Sequence, residues 1–272
     1  MSSHRDSNGV LQKFVSGGLA GACSRTIVAP LDRIKILLQT TKQEGSIKMM
    51  SSSIIREEGV LKLWKGNALN CIRIVPYSAL QFGTYESCKQ CIASDSSAMT
   101  IPQRLGCGTI TGLVAASFTH PIDVVRHQII LEKSSASAYS ISKSLVRDNG
   151  LRGLFKGYGS TIVSLTPFVA VNFCAFDTMK SLSTRHETLD ILILGAVSAL
   201  ISQTICYPLD TIRRRMQISN SGYKNGLDAF LKILKYEGAR RLYSGLSANA
   251  LKIVPNNSIR FLVYHKISES II

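Results

Sequence analysis

The sequence predicts an all-α membrane protein: six transmembrane helices in three pseudo-symmetric repeats, each repeat holding two helices and a short surface helix between them. Three observations predict it. One motif with an internal proline recurs three times at nearly equal spacing. Six long, weakly polar stretches alternate with basic loops. The 272 residues are also basic and apolar at once, with a formal net charge of +15 and 45% hydrophobic residues. A basic chain needs an anionic partner, and a basic chain this apolar points to a bilayer rather than to water.

The six stretches are 10–38, 68–90, 103–131, 159–181, 188–217 and 248–268, each long enough to cross a bilayer as a helix. They pair into repeats over 10–95, 101–185 and 188–272. The first stretch of each pair carries the motif: "APLDRIKILLQ", "HPIDVVRHQII" and "YPLDTIRRRMQ", with Pro30, Pro121 and Pro208 spaced by 91 and 87. Thirteen residues before each proline stands Gly17, Gly108 or Gly195, followed four residues later by Gly21, Gly112 or Ala199. Small residues at that spacing let helices approach closely in lipid.

The loops inside the repeats hold "EEGVLKLWKG", "DNGLRGLFKG" and "YEGARRLYSG", preceded by segments rich in Lys and Arg. An excess of positive charge places all three loops on one side of the membrane, and an even number of spans places both termini on the other. Within the second stretch of each repeat, Pro76, Pro167 or Pro255 opens an aromatic-bearing segment. The seven cysteines read as small buried residues.

Proline within a span removes a backbone hydrogen bond and kinks the helix. Just past each kink, Asp32 and Lys35, Asp123 and Arg126, and Asp210 and Arg213 lie three residues apart on one face. Each unpaired charge at mid-membrane costs roughly 2.5 to 3.5 kcal/mol, so these groups need partners. One arrangement pairs them within each helix. The other is a ring in which each acid meets the base of the next repeat: Asp32 with Arg126, Asp123 with Arg213 and Asp210 with Lys35. A ring that opens and re-forms is a gate.

This constellation resembles the mitochondrial carrier family over essentially the whole chain. The resemblance implies that the ring closes the matrix side, braced by a glutamine one turn on; Gln39 and Gln217 match that position and Ile130 does not. It implies a second network on the cytoplasmic side, matched by Glu86 and Lys89 and by Asp177 and Lys180. In the third repeat His265 and Ser268 occupy the corresponding positions, which leaves Lys89 with Asp177 as the one full ion pair. Arg214 and Arg215 are expected to point away from the ring, toward the inner mouth or acidic lipid.

The family's substrate contacts fall on Arg73, on Ser164 with Leu165, and on Lys252, three residues before the even-helix prolines. Arg25 matches a further cavity cation, and Arg260 is a candidate. Two or more cations facing one cavity require an anion, and phosphate suits both the fork of Arg and the point charge of Lys. The expected solute is an adenine nucleotide, ATP exchanged for ADP, across the inner membrane of a mitochondrion or a derived organelle. Coenzyme A and thiamine pyrophosphate are the alternatives. Membrane lipids including cardiolipin are expected partners, with the chain a monomer, and no cofactor, metal or nucleic acid is expected. The basic residues alternate with spans instead of clustering on one soluble face, and no phosphate-cradling loop, metal-spaced His pair or G-x-S-x-G points to an enzyme.

Overall fold

The computed structural model describes residues 3–41, 45–92, 100–132, 136–182, 188–218 and 222–253, with Pro255, Asn256, Ile259 and Val263 beyond them. Side chains are described from Gly17 onward, except at 101, 177, 180–182 and 188–192. The described residues form helices and short connections, with no strand among them.

Three long helices carry the repeated motif: α1 (Ser3–Thr40), α5 (Ile101–Leu131) and α8 (Thr188–Met216), with Pro30, Pro121 and Pro208 inside them. Their partners are α3 (Asn67–Ile72) with α4 (Ile74–Ile92), then α7 (Tyr158–Leu182), then helical backbone over 246–253. The stretch 68–90, expected as one helix, is interrupted at Arg73. Pro76 has no N–H to return to the carbonyl of Ile72, so the turn loosens there. Pro167, by contrast, lies inside an unbroken α7.

Among the described residues, two of the six expected spans lie in stretches long and apolar enough to cross a membrane: Ala138–Phe176, which takes in most of α7, and Ile193–Met216 in α8. The other long helices dilute their apolar residues with Gly, Ser, Thr and charge.

The intra-repeat loops fold alike. Each begins with a surface helix, α2 (Ile47–Glu58), α6 (Ala138–Asn149) or α9 (Gly226–Tyr236), followed by a 3-10 turn at Val60–Trp64, Gly150–Phe155 or Ala239–Tyr243. Ser46, Ser137 and Asn225 cap the three surface helices, accepting hydrogen bonds from the backbone N–H of Met49, Ser140 and Asp228. The apolar faces pack onto the ends of the long helices: Met50 and Ile54 against Ile34 and Leu38, Leu145 against Val124 and Ile129, and Ala229 and Ile233 against Ile212 and Met216. Burial of each large aliphatic side chain stabilises by about 1.5–3 kcal/mol.

One glycine per repeat closes the circle. Gly66, Gly157 and Gly245 have φ of 81°, 72° and 82°, a region that favours glycine. Each lies against the next repeat: a Cβ on Gly66 would meet Ile130 Cγ1 at 2.9 Å, one on Gly157 the Met216 carbonyl carbon at 2.9 Å, and one on Gly245 the Lys35 carbonyl oxygen at 3.1 Å. The last contact joins repeat three to repeat one, so the seams run all the way round.

Candidate functional site

Past their prolines, α1, α5 and α8 bring the motif residues together. Arg126 Nη2 lies 3.2 Å from Asp32 Oδ2, Arg213 Nη2 lies 3.5 Å from Asp123 Oδ2, and Lys35 Nζ lies 2.8 Å from Asp210 Oδ2. Each pair joins two repeats, so the arrangement is the ring and not pairing within each helix. Lys35 and Asp123 are buried, and an ion pair in such surroundings is costly to break by removing one partner.

Every ring carboxylate has a second cation. Lys252 Nζ lies 2.6 Å from Asp32 Oδ1, Arg73 Nη1 lies 2.8 Å from Asp123 Oδ2, and Arg214 Nε lies 3.4 Å from Asp210 Oδ2. Six cations therefore face three carboxylates, an excess of three positive charges. Gln39 donates to Asp210 Oδ2 and to Thr211 Oγ1, both at 3.3 Å, bracing the Lys35 pair from below. Lys35 also donates to Asn249 Oδ1 at 2.9 Å and sits over the Tyr207 ring.

Two expectations change here. Arg214 and Arg215 do not point away to lipid. Arg214 faces Asp210 and donates from Nη1 to His127 Nε2 at 2.7 Å. A guanidinium only donates, so Nε2 accepts and His127 is neutral with its proton on Nδ1. Arg215 is buried and forms a fork with Glu237 at 2.6 and 2.7 Å, while its Nε donates to the Gln39 carbonyl at 2.8 Å. The signals for these roles lay in the spacing: residues four apart share a helix face as surely as those three apart, which places Arg214 beside Asp210 and His127 beside Asp123. Gln217 differs too, donating to Thr161 Oγ1 at 3.4 Å and not to a ring carboxylate.

Above the ring lies a polar cavity of about 170 Å³ lined by Arg73, Tyr77, Asp123, Arg126, His127, Leu165, Arg213 and Arg214, with Ala116. The Nε atoms of Arg73 and Arg126 are buried there without a partner among the described residues. Ser164 is buried beside it, its hydroxyl donating to the Thr161 carbonyl at 3.0 Å. Arg25 is outside the lining and donates to Asn70 Oδ1 at 2.9 Å. Arg260 lies outside the described residues, as do the side chains of Asp177 and Lys180 and the positions His265 and Ser268. Glu86 is exposed and Lys89 half-buried, with no ion pair to either among the described residues. A larger apolar groove, about 440 Å³, runs between α7 and α8 along Val171, Cys174, Met179 and Ile205. Among the described residues no charged group lines it.

Paired helices in three repeats around a polar cavity, stoppered by ion pairs that join the repeats, define a solute carrier. The chain belongs to the mitochondrial carrier family: the family described as mitochondrial carrier protein matches it over residues 6–96, 97–187 and 184–272. Members of this family are transporters, not enzymes. The thylakoid ADP,ATP carrier protein of Arabidopsis thaliana chloroplasts is 38% identical over 263 residues, 92% of this chain and 63% of that protein. The mitochondrial adenine nucleotide transporter of the same plant is 32% identical over 307 residues, 96% of this chain and 87% of that protein. A mitochondrial coenzyme A transporter of Xenopus tropicalis is 33% identical over 268 residues, 92% of this chain and 82% of that protein. The chain thus spans under two thirds of the length of the first of these relatives.

Proposed function

We propose that the chain is a secondary transporter that exchanges ATP and ADP across the inner membrane of a mitochondrion or mitochondrion-derived organelle by alternating access. One observation carries the reading: the excess of three positive charges where the cavity meets the ring. A monocarboxylate leaves most of that charge unmatched, whereas a nucleoside di- or triphosphate matches it. Similarity to adenine nucleotide carriers points the same way.

In this proposal six helices span the membrane in repeats over 10–95, 101–185 and 188–272. The ring of Asp32, Lys35, Asp123, Arg126, Asp210 and Arg213 is the matrix gate, with Gln39 supporting it. Glu86, Lys89, Asp177 and Lys180 form the cytoplasmic gate. The chain works as a monomer in a bilayer containing cardiolipin.

A phosphate chain entering the cavity meets Arg73 and Lys252, both already engaged by ring carboxylates. To bind them it competes with Asp123 and Asp32. Every bond it wins leaves a ring carboxylate with one cation instead of two, so binding itself biases the gate toward opening. The buried Nε donors of Arg73 and Arg126 offer additional hydrogen bonds at no cost in broken pairs. Exchange, rather than leak, follows because an empty site restores the paired ring.

Coenzyme A is the second reading, favoured by the similarity to a coenzyme A transporter and by the same charge excess; thiamine pyrophosphate belongs with it as a phosphorylated alternative. Reconstituted protein in liposomes loaded with ADP is expected to take up labelled ATP. Uptake that appears only with internal coenzyme A or thiamine pyrophosphate would reject the adenine nucleotide reading.

A further inference from the structure

The threefold pattern supplies each ring carboxylate with a second cation from the preceding repeat, and it fails once. Arg73, Ser164 and Lys252 are equivalent, each three residues before a proline. Arg73 reaches forward to Asp123 of the next repeat, and Lys252 reaches Asp32, continuing the circle. The same step from Ser164 ends on Asp210. Serine has no charge to offer there, and its hydroxyl is turned to the Thr161 carbonyl.

Asp210 nevertheless has two cations. The second, Arg214, comes from its own helix, four residues on, and stays largely buried at 18% exposure against 17% for Asp210. This is not a solvated helix pair, which would contribute little to stability. His127 of repeat two accepts from Arg214 Nη1 at 2.7 Å and fixes the guanidinium over the carboxylate. Arg214 also lines the same cavity as Arg73.

We infer that Arg214 stands in for the cation that position 164 lacks, completing the second tier of the gate from the long helix and not from its partner. The substitution makes the gate asymmetric. The Arg73–Asp123 and Lys252–Asp32 ties cross from one repeat to the next, so an anion that draws either cation away loosens a seam. The Arg214–Asp210 tie lies within α8, and the seam between repeats two and three depends there on His127 instead. Arg214 is thus a positioning residue for the gate and a third cation within reach of a bound phosphate chain.

The inference rests on the ring opening and closing as proposed above, and not on which solute passes. Melting midpoints of the purified full chain in detergent test it without any nucleotide. R214Q is expected to lower the midpoint by about 2–4 °C. S164K/R214Q, which restores a cation at the equivalent position on α7, is expected to recover at least half of that loss. R214K, which keeps the charge but has a single nitrogen to share between Asp210 and His127, should lose less than R214Q, and R214Q should lower the midpoint no further in a D210N background. An equal loss from R214Q with and without Asp210, or no recovery from S164K, overturns the inference. Should R214Q alone not fold, folding of S164K/R214Q supports the inference, and failure of both overturns it. Failure of ATP uptake by the unaltered protein would reject the nucleotide reading and leave this comparison of midpoints intact.

Discussion

Repeat two and its neighbours share a scaffold and differ in their ions. All three repeats cap the surface helix with a short polar side chain, and all three turn at a glycine pressed against the next repeat. At three equivalent positions, however, repeat two lacks the group that its neighbours use to pair. Asn149 stands where Glu58 binds Arg33 and Glu237 binds Arg215; Ile130 stands where Gln39 braces the ring; Ser164 stands where Arg73 and Lys252 reach a carboxylate. Packing takes their place. Ile130 fills the space beside Gly66, whereas the aromatic contact of His120 with Phe155 has its counterpart in repeat three, Tyr207 stacked on Tyr243 at 6.3 Å. Symmetry in the scaffold therefore does not require symmetry in the charges. A binding site for an asymmetric solute can be written onto a threefold frame at a few positions.

The comparison breaks most severely at Asp123, the ring acid of repeat two. Its carboxylate holds both Arg73 and Arg213. Asp123→Asn is expected to leave two largely buried cations short of charge and to cost about 3–5 kcal/mol. Thermal unfolding of the purified protein should show it, together with near-complete loss of exchange in liposomes. A midpoint within a degree of the unaltered chain would contradict the ring.

Next come the loop glycines. Gly157→Ala forces a Cβ against the backbone of Met216 and Gln217 at positive φ, and about 1–3 kcal/mol of destabilisation is expected. Gly66→Ala meets the Ile130 side chain, which can shift, so its loss in melting midpoint should be the smaller of the two.

The smallest effect sharpens the contrast at the surface helices. Glu237→Gln weakens the fork to Arg215 and the contact to Arg241, at an expected cost of about 1 kcal/mol after allowance for solvent. Hydrogen bonds from Arg215 hold the Glu237 carboxyl below the ordinary carboxylate range. A depressed carboxyl contributes stability above its unfolded pKa and loses it as pH falls through the folded value. The difference in midpoint between the unaltered chain and Glu237→Gln should thus be constant above about pH 5 and shrink below about pH 4. Asn149→Ala, at the repeat-two position, should show no such dependence.

Much of this was legible in the sequence because proline, a fixed three-residue offset and a threefold period are geometric statements. They located the odd helices and the ring residues without coordinates, and named the cross-repeat partners of Asp32, Asp123 and Asp210 as one of two possible pairings that the ion pairs then decided. Arg214 and Arg215 were harder. Three consecutive arginines fan out over most of a helix circumference, and which of them meets protein or lipid depends on neighbours distant in sequence: His127 for one, Glu237 and the Gln39 carbonyl for the other. Gln217 shows the same limit, since its amide is captured by Thr161 of α7. The break at Arg73 was hidden because Pro76 and Pro167 occupy equivalent positions and only one interrupts its helix.

The close approach of Gly245 to the Lys35 carbonyl has a topological corollary. It joins the last repeat to the first through touching atoms alone, in the manner of the two seams that also have a peptide connection. Closure of the ring is then non-covalent at one seam, and fragments severed between repeats keep the Gly66, Gly157 and Gly245 surfaces that meet at the seams.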